Sequence, residues 1–107
     1  MEKLLPNSDI NVENIDPLIH EPSRLMIMAQ LYIVQSADFL FLLRQTQMTP
    51  GNLSAHLRKL EDAGYVEITK EFIERKPHTA LALTKKGRSA FKQYRRDIKQ
   101  IADNLPE

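Results

Sequence analysis

The chain has 107 residues, of which 42% are hydrophobic and 27% are charged, a composition that predicts one soluble globular domain and argues against a disordered chain. Cysteine is absent, which excludes disulfides, thiolate metal sites and a cysteine nucleophile. No apolar run approaches the roughly 18 residues of a membrane span, and the chain does not begin with a signal-peptide pattern. We therefore expect a cytoplasmic protein with no membrane partner.

The net charge of +1 does not by itself indicate a partner, but the charges are unevenly distributed. Acidic residues dominate 1–21, and basic residues dominate 85–99. Local charge steers a charged partner more than the sum does. Because residues 1–21 are acidic, we interpret them as an N-terminal arm that packs or dimerises, with Ile15 and Leu18 as contacts, and not as an arm that enters a DNA groove.

Three helices are predicted in the first half of the chain. The first spans Pro22 to about Ala37 and is apolar on most sides, which indicates that neighbours enclose it, so its Ile27 is a further candidate dimer contact. Met26, Met28 and Tyr32 in this helix could line a ligand cavity between the first and last helices, although core packing explains them better. An extended junction at 38–39 and a short helix over 40–46 come next, followed by a turn into the third helix.

The third helix, over 50–63, organises the rest of the chain. Thr49 can cap it, Pro50 suits its first position, and Gly64 suits a left-handed exit. One stripe of this helix is apolar and must pack, and it consists of Leu53, Leu57, Leu60 and Ala63. The opposite side is predicted to face solvent and consists of Gly51, Asn52, Ala55, Arg58, Lys59 and Asp62. Small residues followed by amide and guanidinium groups are what a helix needs to read a nucleic-acid groove.

After Gly64 the pattern alternates, which predicts a β-hairpin. Val66, Ile68 and Phe72 are expected to share one face of the first strand, with Glu67, Thr69 and Glu71 on the other. The returning strand, over 78–83, is expected to turn Thr79, Leu81 and Leu83 inward. Between the strands lies a polar tip over 73–77, with a proline that is incompatible with a central strand. The cations Arg75 and Lys76 in this tip would hold phosphates beside a groove.

Thr84 is predicted to cap a final helix over 85–104. Its apolar residues follow a heptad pattern and are Phe91, Tyr94, Ile98, Ile101 and Leu105. This seam is explained equally well by a dimer contact and by packing against the first helix of the same chain. The expected organisation is thus an arm over 1–21, a DNA-binding domain over 22–84 and a terminal helix over 85–107.

These elements and their residues resemble the winged helix-turn-helix transcriptional regulators of the MarR and ArsR-like group. The resemblance covers about residues 22 to 98. The matching residues are Gly51-Asn52-Leu53-Ser54, His56-Leu57, Leu60-Glu61, Ala63-Gly64-Tyr65-Val66, Lys70, Phe72, Pro77, Thr79, Leu83-Thr84, Gly87-Arg88, Ala90-Phe91 and Tyr94. The resemblance implies an α+β, mostly α fold with a three-helix core, a β-hairpin wing and a long C-terminal helix. The tip at 73–77 departs from the family pattern because it lacks a glycine.

The resemblance also implies a dimeric regulator of transcription that binds double-stranded DNA, with the third helix in the major groove and the wing on the backbone. Asn52 and Arg58 are the best candidates for base contacts, because an amide can pair with adenine and a guanidinium with guanine. His56 lies at the edge of the buried stripe, so packing is an alternative for it. The full set of expected DNA-binding residues is Thr49, Gly51, Asn52, Ser54, Ala55, His56, Arg58, Lys59, Lys70, Arg75, Lys76 and Thr79.

Two alternatives stay open. Residues 49–79 balance cations against acids, which is compatible with a winged helix that binds a protein partner through the same surface. A regulator that responds to a small-molecule effector is the other alternative. No nucleophile and base form a catalytic constellation, and the three histidines are spread along the chain, so we expect neither an enzyme nor a metal or other cofactor.

Overall fold

The structure, a computed structural model, describes residues 12–107. In this part of the chain the elements are α1 (Pro22–Val34), β1 (Ser36–Asp38), α2 (Phe39–Thr46), α3 (Pro50–Asp62), β2 (Val66–Ile73), β3 (Lys76–Leu83) and α4 (Lys85–Asp103). The strands form one antiparallel sheet in the order β1-β3-β2. The expected α+β winged helix, with three helices, a hairpin and a long terminal helix, is confirmed. Residues 1–11 of the expected arm lie outside the described residues.

The first helix ends earlier than predicted. Gln35 adopts a positive φ of 69°, which stops α1 at Val34. Ser36, Ala37 and Asp38 then form strand β1, which pairs with residues 80–82 of β3. The prediction of a helix up to Ala37 is wrong because β3, distant in sequence, offers the backbone hydrogen bonds that a strand needs. The side chain of Asp38 then caps α2 by accepting from the Phe41 amide at 2.7 Å.

The core draws on every helix, on strands β2 and β3 and on the segment before α1. Ile15 and Ile19 are buried in it, so the described part of the arm packs on its own domain. Met28 is also fully buried, which assigns it to packing, whereas Met26 is 41% exposed. The buried core residues are Ile15, Ile19, Ile27, Met28, Leu31, Leu42, Leu53, Leu57, Leu60, Val66, Leu81 and Tyr94.

The N-terminal half of α4 packs against the same chain. The ring of Phe91 lies 5.1 Å from that of Tyr32 on α1, and the Arg88 guanidinium lies 4.8 Å from the centre of the Tyr32 ring. The Tyr94 hydroxyl is hydrogen-bonded to Nδ1 of His20 at 2.9 Å. The first part of the heptad seam therefore serves the chain's own core. Among residues 12–107, no helix has the length and apolar character to cross a membrane.

Candidate nucleic-acid interface

Local interactions fix where α3 begins and how it is rotated. Oγ1 of Thr49 accepts a hydrogen bond from the Asn52 amide at 3.2 Å, and Pro50 is the first helical residue. Gly64 follows the helix with a φ of 80°, as its position after the helix predicts. Leu53, Leu57 and Leu60 are all buried, so the apolar stripe is turned into the core.

Since the apolar stripe is buried, the opposite side of α3 is open to solvent, as predicted. The exposed residues of this outer face are Gly51, Asn52, Ser54, Ala55, Arg58, Lys59 and Asp62. The face begins with the small residues Gly51 and Ala55 beside the amide of Asn52. It continues with the cations Arg58 and Lys59, so a polyanion can approach the start of the helix closely and meet positive charge further along.

The hairpin turn is tighter than predicted. Ile73 pairs with Lys76, which leaves a two-residue turn at Glu74 and Arg75, with φ of 52° and 68°. Such turns favour Asn-Gly, so Glu74 and Arg75 give no sequence signal for this one. The expected tip over 73–77 is therefore too long, and Pro77 lies within β3. It is tolerated there because β1 pairs only with residues 80–82, so in the part of the chain that the structure describes no third strand lies beside Pro77.

The register gives the two faces of the β2–β3 ribbon different chemistry. Lys70 lies opposite Thr79, and Phe72 lies opposite Pro77. Because side chains alternate along a strand and directly paired residues share a face, these four residues lie on one side, which we call the inner ribbon face. Glu67 and Glu71 fall on the other side, the outer ribbon face.

Phe72 lies on the face that alternation predicts for it, but it is not buried there. The side chain lies on the inner ribbon face with Val66 and Ile68, but it is 76% exposed. The ribbon extends past the body of the domain, so residues 69–77 are exposed throughout. Alternation therefore predicted the face of Phe72 correctly but not its burial.

A cleft of about 540 Å³ lies between α3 and the inner ribbon face. Its lining includes four of the expected DNA-binding residues, namely Ser54, Arg58, Lys70 and Thr79. Glu61 also lines it, and the sequence had assigned that residue no role. The structure thus brings together side chains that are up to 25 positions apart in the chain, from Ser54 to Thr79. Sequence spacing gave no indication of this grouping because it depends on how the hairpin folds back beside α3.

His56 is positioned by α1 and not by the outer face of α3. Its Nδ1 lies 3.2 Å from Nη1 of Arg24 and 4.0 Å from Oε1 of Glu21. The Arg24 amide donates to Glu21 at 2.8 Å, and this bond is the main cause that holds the pKa of Glu21 below its usual value. Only 21% of the His56 side chain is exposed. These contacts support the alternative that His56 is a packing residue between α1 and α3.

Arg75 and Lys76 lie at the exposed end of the ribbon, beyond the cleft. Lys76 pairs with Ile73 and so lies on the outer ribbon face, and Arg75 lies in the turn beside Glu74. Glu67 and Glu71 lie on the outer ribbon face, and Asp62 is the last residue of α3. Over 49–79 as a whole, acids and cations are equal in number. They are not equal in the cleft, where Glu61 is the acid and Arg58 and Lys70 are the cations.

The dimer candidates divide into two groups. Ile15, Ile27 and Tyr94 are at most 6% exposed within the single chain, so most of each side chain packs in the chain's own core, and their part in a dimer stays a prediction. Leu18 is half-buried against the core. Phe91, Ile98 and Ile101 are partly exposed on α4, and Leu105 is 52% exposed just after it. A groove of about 340 Å³ runs along this surface, lined by Phe91, Tyr94, Arg95, Ile98 and Lys99.

The chain is similar to two proteins over most of its length. The uncharacterized protein MJ0432 of Methanocaldococcus jannaschii is 40% identical over 82 residues, which are 77% of this chain and 89% of that protein. A solved structure of a transcriptional regulator homologue from Pyrococcus horikoshii OT3 superposes with a TM-score of 0.80 at 32% identity. That match covers 84% of this chain and 89% of the other.

A more distant structure shows the same fold. NadR, solved in complex with 4-hydroxyphenylacetate, matches with a TM-score of 0.68 at 21% identity, over 86% of this chain and 67% of its own. Such neighbours are MarR-family transcriptional regulators, so the chain shares their fold, as the resemblance drawn from the sequence implies.

The winged helix DNA-binding domain family matches residues 23–102, a range that begins inside α1 and ends inside α4. Its fold and that of the structural neighbours are those of DNA-binding transcriptional regulators and not of enzymes. The chain therefore belongs to the winged helix DNA-binding domain family and has the fold of MarR-family regulators.

Proposed function

We propose that this protein regulates transcription as a dimer that binds specific duplex DNA sequences, with α3 in the major groove and the β2–β3 ribbon on the flanking backbone. The observation that carries the proposal is the cleft between α3 and the inner ribbon face. Ser54, Arg58, Lys70 and Thr79 all line it, so cations and hydroxyls from both elements face the same space. A duplex seated against α3 would meet the ribbon at the same time.

Base contacts are assigned to Asn52 and Arg58 on the outer face of α3. An amide can make two hydrogen bonds to adenine, and a guanidinium can make two to guanine. Gly51 and Ala55 carry little bulk, and no heavy atom lies within 4 Å of a Cβ built at Gly51. The start of the helix can therefore approach the base edges closely.

Phosphate contacts are assigned to residues around this helix. Lys59 and Lys70 supply charge beside the groove, and Arg75 and Lys76 supply it at the end of the ribbon. The Thr49 hydroxyl accepts from the Asn52 amide, which leaves its own proton free to donate to a phosphate. Neutralisation of phosphates by these cations provides affinity that falls as salt rises.

The dimer is assigned to the exposed part of the α4 surface. Phe91 and Ile98 border the apolar groove, and Ile101 and Leu105 continue it toward the C-terminus. A second copy that presents the same surface would cover these side chains and place two α3 helices on one duplex. Symmetric half-sites are the expected consequence.

The test begins with selection of bound fragments from a random duplex library, followed by anisotropy titrations on the selected DNA. We expect Arg58→Ala to weaken binding by about 1–3 kcal/mol and to relax the preference at one base position. Lys76→Ala should weaken binding evenly across sequences and reduce the salt slope by about one. Arg96→Ala is the matched control, because Arg96 is an exposed cation on α4 whose Nη2 donates to Gln93 at 2.9 Å.

Wild-type binding that is insensitive to salt would contradict the proposal and favour the protein-interaction alternative, because a DNA ligand must compete with counterions. The dimer is tested separately by sedimentation. Leu105→Glu should lower the dimer affinity without disturbing the packing of the single chain, since Leu105 is 52% exposed there. An unchanged sedimentation profile would remove α4 as the dimer surface.

A further inference from the structure

We infer that Phe72, backed by Pro77, is an apolar wedge that the ribbon inserts into the minor groove next to the α3 contact. This inference rests on the proposed DNA-binding function and adds to it a residue that reads the deformability of the duplex. The wedge would act at base steps that α3 does not touch.

Along the inner ribbon face, the side chains are buried near the body of the domain and exposed at the tip. Nearest the body, Ile68 pairs with Leu81, which is fully buried. Next, Lys70 pairs with Thr79, and both line the cleft. Beyond them, Phe72 pairs with Pro77, and Phe72 is 76% exposed. The ring therefore follows directly after the two cleft residues on the same face, at the distance of one strand repeat.

Two features indicate that DNA occupies the space beside Phe72. They are the charges on the ribbon and the continuity of this space with the cleft. Among residues 66–83, which the structure describes throughout, the inner ribbon face carries the cation Lys70 and no carboxylate. Glu67 and Glu71 lie on the outer face with Lys76, and the turn carries one acid, Glu74, and one cation, Arg75. A protein partner does not require this segregation, whereas a polyanion held in the cleft does.

The shape of the ribbon also fits a groove. Strand β1 pairs only with residues 80–82, so within residues 12–107 the ribbon beyond that point has two strands, and Phe72 and Pro77 are both exposed. A minor groove is about 6 Å wide, which admits a single ring but not a packed domain. Exposed Phe and Pro side chains are among those that enter minor grooves and partly unstack a base step.

Partial unstacking costs less at some steps than at others. Pyrimidine–purine steps such as TA and CA kink easily, whereas A-tracts are stiff. A wedge at Phe72 would therefore select for flexible steps at a fixed distance from the bases read by α3. Since the ring releases no counterions, its contribution should not depend on salt.

The experiment compares Phe72→Ala with Ile73→Ala. Ile73 is the next residue, is 49% exposed and lies on the outer ribbon face, so it is a matched control for loss of an apolar side chain from the ribbon end. Random 30-bp duplexes are selected in parallel with the wild type and both variants, and affinities on the wild-type-selected DNA are measured at several salt concentrations. Equal melting temperatures of the three proteins establish that the fold is intact.

We expect Phe72→Ala to lower affinity about tenfold, the size of one base–aromatic stacking contact, with an unchanged salt slope. We also expect its selected sites to lose a pyrimidine–purine step that the wild type and Ile73→Ala retain. If Phe72→Ala binds and selects like the wild type while Arg58→Ala is impaired, the wedge is overturned and the proposed function stands. A loss of affinity accompanied by a smaller salt slope also overturns it, because phosphate contacts would then have moved. Absence of salt-dependent duplex binding by the wild type overturns both.

Discussion

The two ends of the β2–β3 ribbon contain the same two strands in the same register but differ in how far their side chains are buried. At the base, Val66 and Leu81 are at most 2% exposed, and β1 adds a third strand. At the tip, Phe72 is 76% exposed and only two strands remain. The base belongs to the core, whereas the tip is a projecting surface with an apolar ring, the cations Arg75 and Lys76 and the acid Glu74.

The difference shows that alternation along a strand specifies a face and not a degree of burial. Burial depends on whether another element covers that face. The base is covered by β1 and by the helices, while nothing in residues 12–107 covers Phe72 to the same extent. Substitutions at the base should therefore change stability, and substitutions near the tip should change binding.

The largest effect is expected at Gly87, where α4 contacts the start of the ribbon. A Cβ at this position would lie 2.0 Å from the Tyr65 carbonyl oxygen, and that oxygen accepts a hydrogen bond from the Thr84 amide. Because the obstructing atoms are backbone, the helix or the strand must move. We expect Gly87→Ala to reduce the free energy of unfolding by about 3 kcal/mol in urea denaturation.

Gly51→Ala is the control for that substitution, since no heavy atom lies within 4 Å of its added Cβ. Its stability should be equal to that of the wild type or slightly higher, because alanine favours a helix. Comparable destabilisation by both substitutions would contradict the packing of α4 against the ribbon base.

A smaller effect is expected at Tyr65, which joins the segment before α1 to the ribbon base. Its hydroxyl donates to Oδ2 of Asp16 at 2.5 Å. Tyr65→Phe removes this bond and should reduce the free energy of unfolding by about 1 kcal/mol at neutral pH. Thermal or urea denaturation of the two proteins measures the difference.

The same bond gives the difference a pH dependence. Burial, and then the hydrogen bond and the charge of Asp16, raise the pKa of Tyr65 to about 12, against an ordinary value near 10. Above pH ~10 the unfolded state loses this proton while the folded state keeps it, so stability falls as pH rises toward 12. The advantage of the wild type over Tyr65→Phe should be constant below pH ~10 and shrink above it. A constant difference up to pH 12 would show that the Asp16 bond does not hold the proton.

The smallest effect is expected at Glu61, the acid of the cleft beside Arg58 and Lys70. Glu61→Gln removes repulsion between this carboxylate and phosphate and should strengthen DNA binding roughly twofold, or about 0.5 kcal/mol, with little change in stability. Glu67→Gln on the outer ribbon face is the matched control and should change affinity less. An equal gain from both variants would indicate a general effect of net charge and not a contact in the cleft.

The sequence predicted α3 well because its signals are local. Thr49, Pro50 and Gly64 specify its ends, and the leucine stripe specifies its buried side within one helix. The strand β1 could not be predicted in the same way. Residues 36–38 follow an apolar helix without a break signal, and they become a strand only because β3 lies beside them. The ribbon turn was also missed, since Glu74 and Arg75 occupy positive φ values that such side chains rarely adopt.

By itself, therefore, the sequence determined which residues form α3 and which of its sides faces solvent, since hydrogen bonds and side-chain periodicity within a few turns decide both. It also determined the cap of α4, where the Gly87 amide donates to Thr84 at 2.9 Å. Only the tertiary structure decided that Lys70 and Thr79 share a cleft with Ser54 and Arg58, and that Phe72 projects beyond it. Those outcomes depend on which surfaces stay exposed after segments distant in sequence have packed. Whether a distant segment buries a residue cannot be read from the residues next to it in the sequence.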